Sequence, residues 1–134
     1  MNALAEVNGM LALVCAPDGP RLASEQDAMD LIAETFSADA DADVELVIVP
    51  ADRFDDAFFM LSTGLAGAIV QKFVGYRRQL AIVGDISRQL AASSALRAFV
   101  AEANRGWQLC FAADDAELDA RLARWAGRRV DHHP

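Results

Sequence analysis

The chain alternates between short, nearly continuous apolar segments and longer segments in which apolar residues recur every three or four positions. The short segments are typical of buried β-strands, and the longer ones of helices with one buried face. Within residues 1–16, two apolar segments flank Asn8-Gly9, a dipeptide that favours the positive φ angles of a type I′ turn. The first 16 residues are therefore predicted to form a β-hairpin.

Helices and strands alternate after the hairpin. Ser24 and Asp27 have the spacing of a capping box, which predicts a helix over 24–36. Its apolar positions, expected to be buried, are Met29, Ile32, Ala33 and Phe36. Further helices are predicted over 62–76, over 93–104 and from about residue 114, the last with Leu118, Leu122 and Trp125 on one stripe. Strands are predicted at 44–49, 79–84 and 107–111.

This order predicts an α/β fold: an N-terminal hairpin, then alternating helices and strands, with a sheet of about five mainly parallel strands. We expect one domain over 1–134, with the hairpin at 1–16 and a tail over about 126–134. Ligand sites in such sheets lie beyond the carboxyl ends of the strands. Here those ends carry residues 50–54, 84–86 and 112–114.

Composition narrows the class of partner. The chain has 54% apolar and 24% charged residues and a net charge of −8, so it repels a phosphate backbone, and no nucleic-acid partner is expected. No apolar run approaches the roughly 20 residues of a membrane span, and no signal segment opens the chain. Cys15 and Cys110 lie in apolar segments and are expected to be free thiols. We expect a cytoplasmic protein without a membrane partner.

Two segments resemble metal sites only in part. Asp39, Asp41 and Asp43 match the start of a calcium loop, but Val44 replaces the glycine that such a loop needs, and Pro50 replaces its terminal glutamate. The pair His132-His133 has no cysteine or carboxylate at ligand spacing. We therefore predict a solvated linker and a solvated end, with no metal and no cofactor.

The segment Ser62-Thr63-Gly64 is open to two interpretations. A hydroxyl at the first turn of a helix can cap its free N–H groups, and Gly64 and Gly67 would then let the helix lie close to the sheet. A phosphate on Ser62 or Thr63 would occupy the same electropositive turn and act as a switch. The preceding Phe58, Phe59 and Met60 are core packing on the first interpretation. If they are exposed, they form a partner-binding face together with Gly64 and Gly67.

The stretch "VELVIVPADRFDDAFFMLSTGLAGAIVQKFVGYRRQLAIVGDIS" resembles the bacterial domain of unknown function 4180 family, and the likeness covers most of the chain. More distantly, the order of strand, loop, hydroxyl pair, Gly-Leu and helix is similar to STAS domains of anti-sigma-factor antagonists. That resemblance implies a STAS-like fold, a partner kinase or anti-sigma-type regulator, and Ser62 as the phosphate acceptor. The chain differs from the STAS pattern at Leu61 and in the insertion 52–60.

Catalytic signatures are few. The sequence has no Gly-x-Ser-x-Gly elbow, its histidines lie only in the tail, and it lacks a phosphate-binding loop. We therefore favour a non-catalytic, regulatory protein-interaction module with an unidentified protein partner. The alternative is a ligand-binding or enzymatic pocket at the strand ends, built from Asp85, Arg53 and Ser62/Thr63. Self-association as a homodimer is also expected, through the hairpin edge or through the Phe58-Phe59 segment.

Overall fold

A computed structural model describes residues 2–37 and 44–131. Two short 3₁₀ turns span Ala51–Arg53 and Leu61–Thr63. The strands and helices are, in chain order, β1 (Ala3–Val7), β2 (Met10–Val14), α1 (Glu25–Ser37), β3 (Leu46–Pro50), α2 (Asp56–Phe59), α3 (Leu65–Gly75), β4 (Gln79–Val83), α4 (Ser87–Ala92), α5 (Ser94–Arg105), β5 (Leu109–Ala112) and α6 (Asp115–Asp131).

The five strands form one sheet in the order β1-β2-β3-β4-β5. β1 and β2 are antiparallel, and each later pair is parallel. The turn between β1 and β2 has positive φ angles at Asn8 (50°) and Gly9 (78°), as a type I′ turn requires. The predicted hairpin and the mainly parallel α/β sheet are confirmed.

Helices cover both faces of the sheet. On one face, α1, α3 and α5 pack against alternate strand residues such as Val47, Leu80 and Phe111. On the other face, α6 packs Leu118, Leu122 and Trp125 against the intervening strand residues. Because both faces are covered, the central strand β3 is buried at four of its five residues, which explains its continuous apolar sequence.

The capping box at α1 forms as predicted: the Asp27 N–H donates to Ser24 Oγ at 3.3 Å, and the Asp27 carboxylate accepts from the Ala23 N–H at 2.8 Å. The predicted buried face is confirmed at Ile32, partly buried at Met29, and wrong at Ala33 and Phe36. Phe36 is 53% exposed, and the buried residues of α1 are Ala28, Leu31, Ile32 and Thr35.

Several boundaries differ from the prediction. The helix predicted from residue 62 begins at Leu65, because Gly64 takes a left-handed conformation (φ 78°) that interrupts the helical path. Residues 126–131, predicted as tail, continue α6 to Asp131. The short helices α2 and α4 were not predicted, since four and six residues are too few to show a helical period.

No helix in the described residues has the length and apolar character needed to span a membrane. The same residues contain no group of three His, Cys, Asp or Glu side chains arranged to hold a metal ion. The acidic run 39–43 and the terminal His132-His133, discussed above as partial metal motifs, lie outside the described residues.

Candidate functional site

A groove with a cavity volume of about 590 Å³ lies beyond the carboxyl ends of β3 and β4. One wall is the segment 56–62, and the other is formed by α4 and the start of α5. The surface of the lining is mainly apolar, with two charged and two hydroxyl side chains, and it consists of Asp56, Phe59, Met60, Leu61, Ser62, Arg88, Gln89, Ala92, Ser93 and Ala95. We call it the 56–95 groove.

Buried aromatic rings hold the first wall in place. Phe58 packs against Phe54 with ring centroids 4.4 Å apart and against Phe59 at 5.2 Å. Asp55 caps α2 by accepting a hydrogen bond from the Ala57 N–H at 3.1 Å. With these anchors beneath it, the chain leaves Met60 58% exposed at the groove.

The two hydroxyls of the Ser62-Thr63 pair have different environments. The Thr63 hydroxyl lies 2.7 Å from Ala57 O and 2.8 Å from Met60 O, and it accepts from the Leu65 N–H at 3.3 Å. Phosphorylation of Thr63 would break these bonds, so its candidacy as a switch is corrected to a cap of α3. Ser62 is exposed and lines the groove.

The expected helix-start environment of Ser62 is also corrected. Ser62 lies in a 3₁₀ turn three residues before α3, and the N–H groups of Thr63 and Gly64 already donate to the carbonyls of Met60 and Leu61. A phosphate on Ser62 would therefore depend on side chains across the groove more than on the dipole of α3.

Four other residues of this segment have structural roles. Phe58 and Phe59 are 0% and 6% exposed, so they are core packing, the first of the two interpretations given above, and they support the wall from inside. A Cβ added at Gly64 or Gly67 would meet no atom within 4 Å. Neither glycine is therefore needed for close approach to the sheet, and Gly64 serves instead as the left-handed residue before α3.

The second wall is positioned by two capping interactions. Asp85 accepts a hydrogen bond from the Ser87 N–H at 2.9 Å at the start of α4, and Ser93 accepts from the Leu96 N–H at 3.1 Å at the start of α5. Between them, Arg88 is exposed on the groove, and no ion pair within the described residues engages it. Arg88 is therefore the cation available to an anion at Ser62.

The alternative pocket is not assembled, because its residues line different cavities. Asp85 lines a cavity of about 300 Å³ with Arg121, and Arg53 lines another of about 330 Å³ with Glu34. Hydrogen bonds from the Ser87 hydroxyl and N–H hold the pKa of Asp85 below its ordinary value of 3.8, which fits a cap carboxylate and not a general base.

Arg53 is a structural residue. Its side chain is buried (4% exposed), its Nε donates to Pro20 O at 3.0 Å, and its Nη1 donates to Ala16 O at 3.0 Å. A Cβ on Gly19 would lie 2.5 Å from Arg53 Cζ, so the guanidinium lies directly against that glycine. Arg53, expected to bind a ligand, therefore instead fastens the loop between β2 and α1.

Comparison with models of protein families assigns the chain to one family. The family model described as "Domain of unknown function (DUF4180)" matches residues 7–122. The chain belongs to this family. No curated protein and no solved structure matches the chain. The DUF4180 match includes both walls of the 56–95 groove, and the more distant STAS resemblance stays a prediction.

Sequence reasoning found one side of the groove in this DUF4180 domain and missed the other. Ser62 and Met60 were identified by a hydroxyl beside large apolar residues. Arg88, Gln89 and Ala92 lie on α4, which is too short to show a pattern. The one local signal for that wall was the pair of capping residues Asp85 and Ser93, which bracket it.

Proposed function

We propose that this DUF4180 protein is a non-catalytic regulatory module that binds an apolar segment of a protein partner in the 56–95 groove. The observation that carries the proposal is the exposure of Met60, at 58%, beside an apolar groove on a protein with a net charge of −8. Contiguous exposed apolar surface rimmed by polar groups is typical of protein interaction sites. A wall built on buried Phe58 and Phe59 is rigid, which lowers the entropic cost of binding.

Phosphorylation of Ser62 would switch this contact. A phosphate adds between −1.5 and −2 charges at about pH 7 and several strong acceptor oxygens, and it would lie in the same groove as Arg88. Pairing with Arg88 would hold the phosphate over the apolar lining, while Asp56 on the same wall adds repulsion against acidic partners. By the STAS resemblance, the partner is a kinase or an anti-sigma-type regulator.

The test has two steps. The full chain is isolated from its source cell, and Ser62 is examined for phosphate by mass spectrometry. Proteins captured by the wild-type chain are then identified, and their affinities are measured by calorimetry for wild type, Ser62→Asp, Met60→Ser and Ser37→Asp. Ser37 is an exposed serine at the end of α1, so Ser37→Asp repeats the charge change away from the groove.

We expect Ser62→Asp and Met60→Ser each to weaken partner binding at least tenfold, which corresponds to about 1.4 kcal/mol, and Ser37→Asp to leave it unchanged. Equal partner affinity for all four proteins would show that the 56–95 groove does not bind the partner. Loss of affinity in Met60→Ser alone, with no phosphate on Ser62 in cells, would keep the binding site and reject the switch.

A further inference from the structure

β1 forms an edge of the sheet whose outer side is open. The Cys15 N–H donates to Ile48 O at 2.8 Å, so the odd-numbered residues of β2 direct their backbone groups toward β3, and its even-numbered residues direct theirs toward β1. The even-numbered residues of β2 pair with Ala3, Ala5 and Val7. The N–H and C=O groups of Leu4 and Glu6 therefore point away from the sheet.

This edge carries few of the features by which proteins protect open strands. Ala3–Val7 contains neither proline nor lysine, and its register with β2 runs from end to end without a bulge. Leu4 is 39% exposed, and Glu6 is the one charge on the strand. An edge of this kind is a template for another strand.

The opposite edge is treated differently. The N–H of Phe111, on β5, donates to Asn104 Oδ1 of α5 at 2.8 Å. All four residues of β5 are buried, and α5 and α6 pack along them. The fold thus closes the β5 edge with a side chain and leaves the β1 edge open. Pairing through one edge produces a closed pair and not a filament.

β1 is also held in place at both ends. Asn2 Nδ2 donates to the Glu34 carboxylate at 3.0 Å, and Asn2 Oδ1 accepts from the Ala16 N–H at 3.1 Å. At the other end, Asn8 Nδ2 donates to Asp119 Oδ1 at 2.9 Å. A strand that is fixed before docking loses little conformational freedom on docking.

We propose that β1 pairs with β1 of a second copy of this chain, antiparallel and about a twofold axis at Ala5, so that the two sheets become one. In this register each Leu4 lies opposite Glu6 of the second copy, and the outward-facing groups of each such pair exchange two hydrogen bonds. The two glutamates are then about 8 Å apart, from the spacing of residues and strands. A register centred on Glu6 would place them directly opposite each other, which destabilises pairing.

The net charge of −8 on each copy opposes association. Raising the salt concentration from about 0.1 M to about 1 M shortens the screening length from about 10 Å to about 3 Å. The twofold pair is therefore expected to become tighter as salt is raised. A partner strand of opposite charge would show the reverse dependence.

The experiment is sedimentation equilibrium of the full chain, at low and high salt, for wild type, Leu4→Glu and Ala101→Glu. Both substitutions add one negative charge, but only Leu4→Glu places it opposite Glu6 of the second copy, since Ala101 lies exposed on α5. A second variant, Ala5→Cys, is oxidised gently and examined for a disulfide between copies. The native Cys15 and Cys110 are buried and leave this reaction to the introduced thiol.

We expect a mass approaching twice 14.4 kDa for wild type and Ala101→Glu, and tightening of the pair with salt. Leu4→Glu should weaken the pair at least tenfold, because two carboxylates then lie directly opposite each other, and Ala5→Cys should give a disulfide-linked dimer. A monomeric wild type at several hundred micromolar in high salt would overturn the proposal. So would a dimer that Leu4→Glu leaves intact, because the interface would then lie elsewhere. A linked dimer through Leu4→Cys but not through Ala5→Cys would reject the register.

Discussion

Arg53 gives the most direct test of how this fold is held together. Its guanidinium joins the end of β3 to the loop before α1 through Pro20 O and Ala16 O, both at 3.0 Å, and it is 4% exposed. The backbone of Leu22 completes this junction, since its N–H donates to Arg53 O at 2.7 Å. Replacing Arg53 with methionine keeps much of the apolar volume and removes both side-chain donors.

The expected cost follows from these two bonds. A hydrogen bond from a charged donor contributes about 1.5–3 kcal/mol, so the pair contributes about 3–6 kcal/mol. We expect the lower end, about 3 kcal/mol, because Pro20, whose carbonyl is freed, lines a cavity of about 330 Å³ that water can enter. Unfolding entropy of about 2.1 cal/mol/K per residue over 134 residues converts this loss into a fall in Tm of about 11 °C.

The assay is urea unfolding followed by circular dichroism, with a thermal melt as a second measurement. Arg21→Met is the matched control, because Arg21 makes one exposed 3.7 Å ion pair with Asp55 and donates one hydrogen bond to Phe54 O at 3.2 Å. Exposed pairs contribute less than about 1 kcal/mol, and Arg21 has one carbonyl partner where Arg53 has two, so its loss should be the smaller. Arg53→Lys should lose an intermediate amount, since an ammonium cannot reproduce the fork of donors. An Arg53→Met loss no larger than that of Arg21→Met would refute the structural role and reopen the ligand-binding role of Arg53.

Three further outcomes are expected. Gly84→Ala should lower the free energy of unfolding in the same urea assay by at least about 1 kcal/mol. Gly84 has a φ of 152°, and the new Cβ would lie 2.8 Å from Ala51 Cβ. An unchanged free energy of unfolding would contradict this close approach. Leu122→Ala should lower the free energy of unfolding by about 2–5 kcal/mol, since Leu122 is 0% exposed on α6, the one described helix that covers the second face of the sheet. A loss below about 1 kcal/mol would show that α6 packs loosely. Burial raises the pKa of Cys15 to about 11 and that of Cys110 to about 12, from an ordinary 9.0. Because the unfolded chain loses these thiol protons first, the free energy of unfolding should fall as the pH rises from about 9 to about 12. Urea titrations should give a shallower fall for the double variant Cys15→Ala/Cys110→Ala, and identical slopes would contradict this assignment.

The sheet was predictable because its signals are local. Asn8-Gly9 specifies its turn through backbone conformation alone, and strands covered on both faces have continuous apolar sequences. The face of α1 was not predictable, because Thr35 is buried through contacts with distant residues. Its hydroxyl donates to Ile32 O at 2.6 Å and accepts from Arg78 Nε at 2.9 Å.

The candidate site was predictable only in part, for a similar reason. The sequence identified a hydroxyl pair beside large apolar residues. It did not show which of the two hydroxyls would form hydrogen bonds within the 3₁₀ turn, as that of Thr63 does, and which would be exposed, as that of Ser62 is. Arginine is usually exposed, which favoured a ligand-binding role for Arg53, whereas no sequence pattern marked Arg88. Tertiary contacts give Arg53 two carbonyl partners and place Arg88 on the groove.

The two proposed surfaces can be separated experimentally because they belong to different parts of the fold. The 56–95 groove lies beyond the carboxyl ends of β3 and β4, whereas the open edge is the outer side of β1. Leu4→Glu should therefore weaken self-association and leave partner affinity unchanged, and Ser62→Asp should do the opposite. If either variant changed both measurements, the pairing of β1 and the occupancy of the groove would be coupled, and the coupling would have to pass through β2 and β3, which join the two surfaces in the sheet.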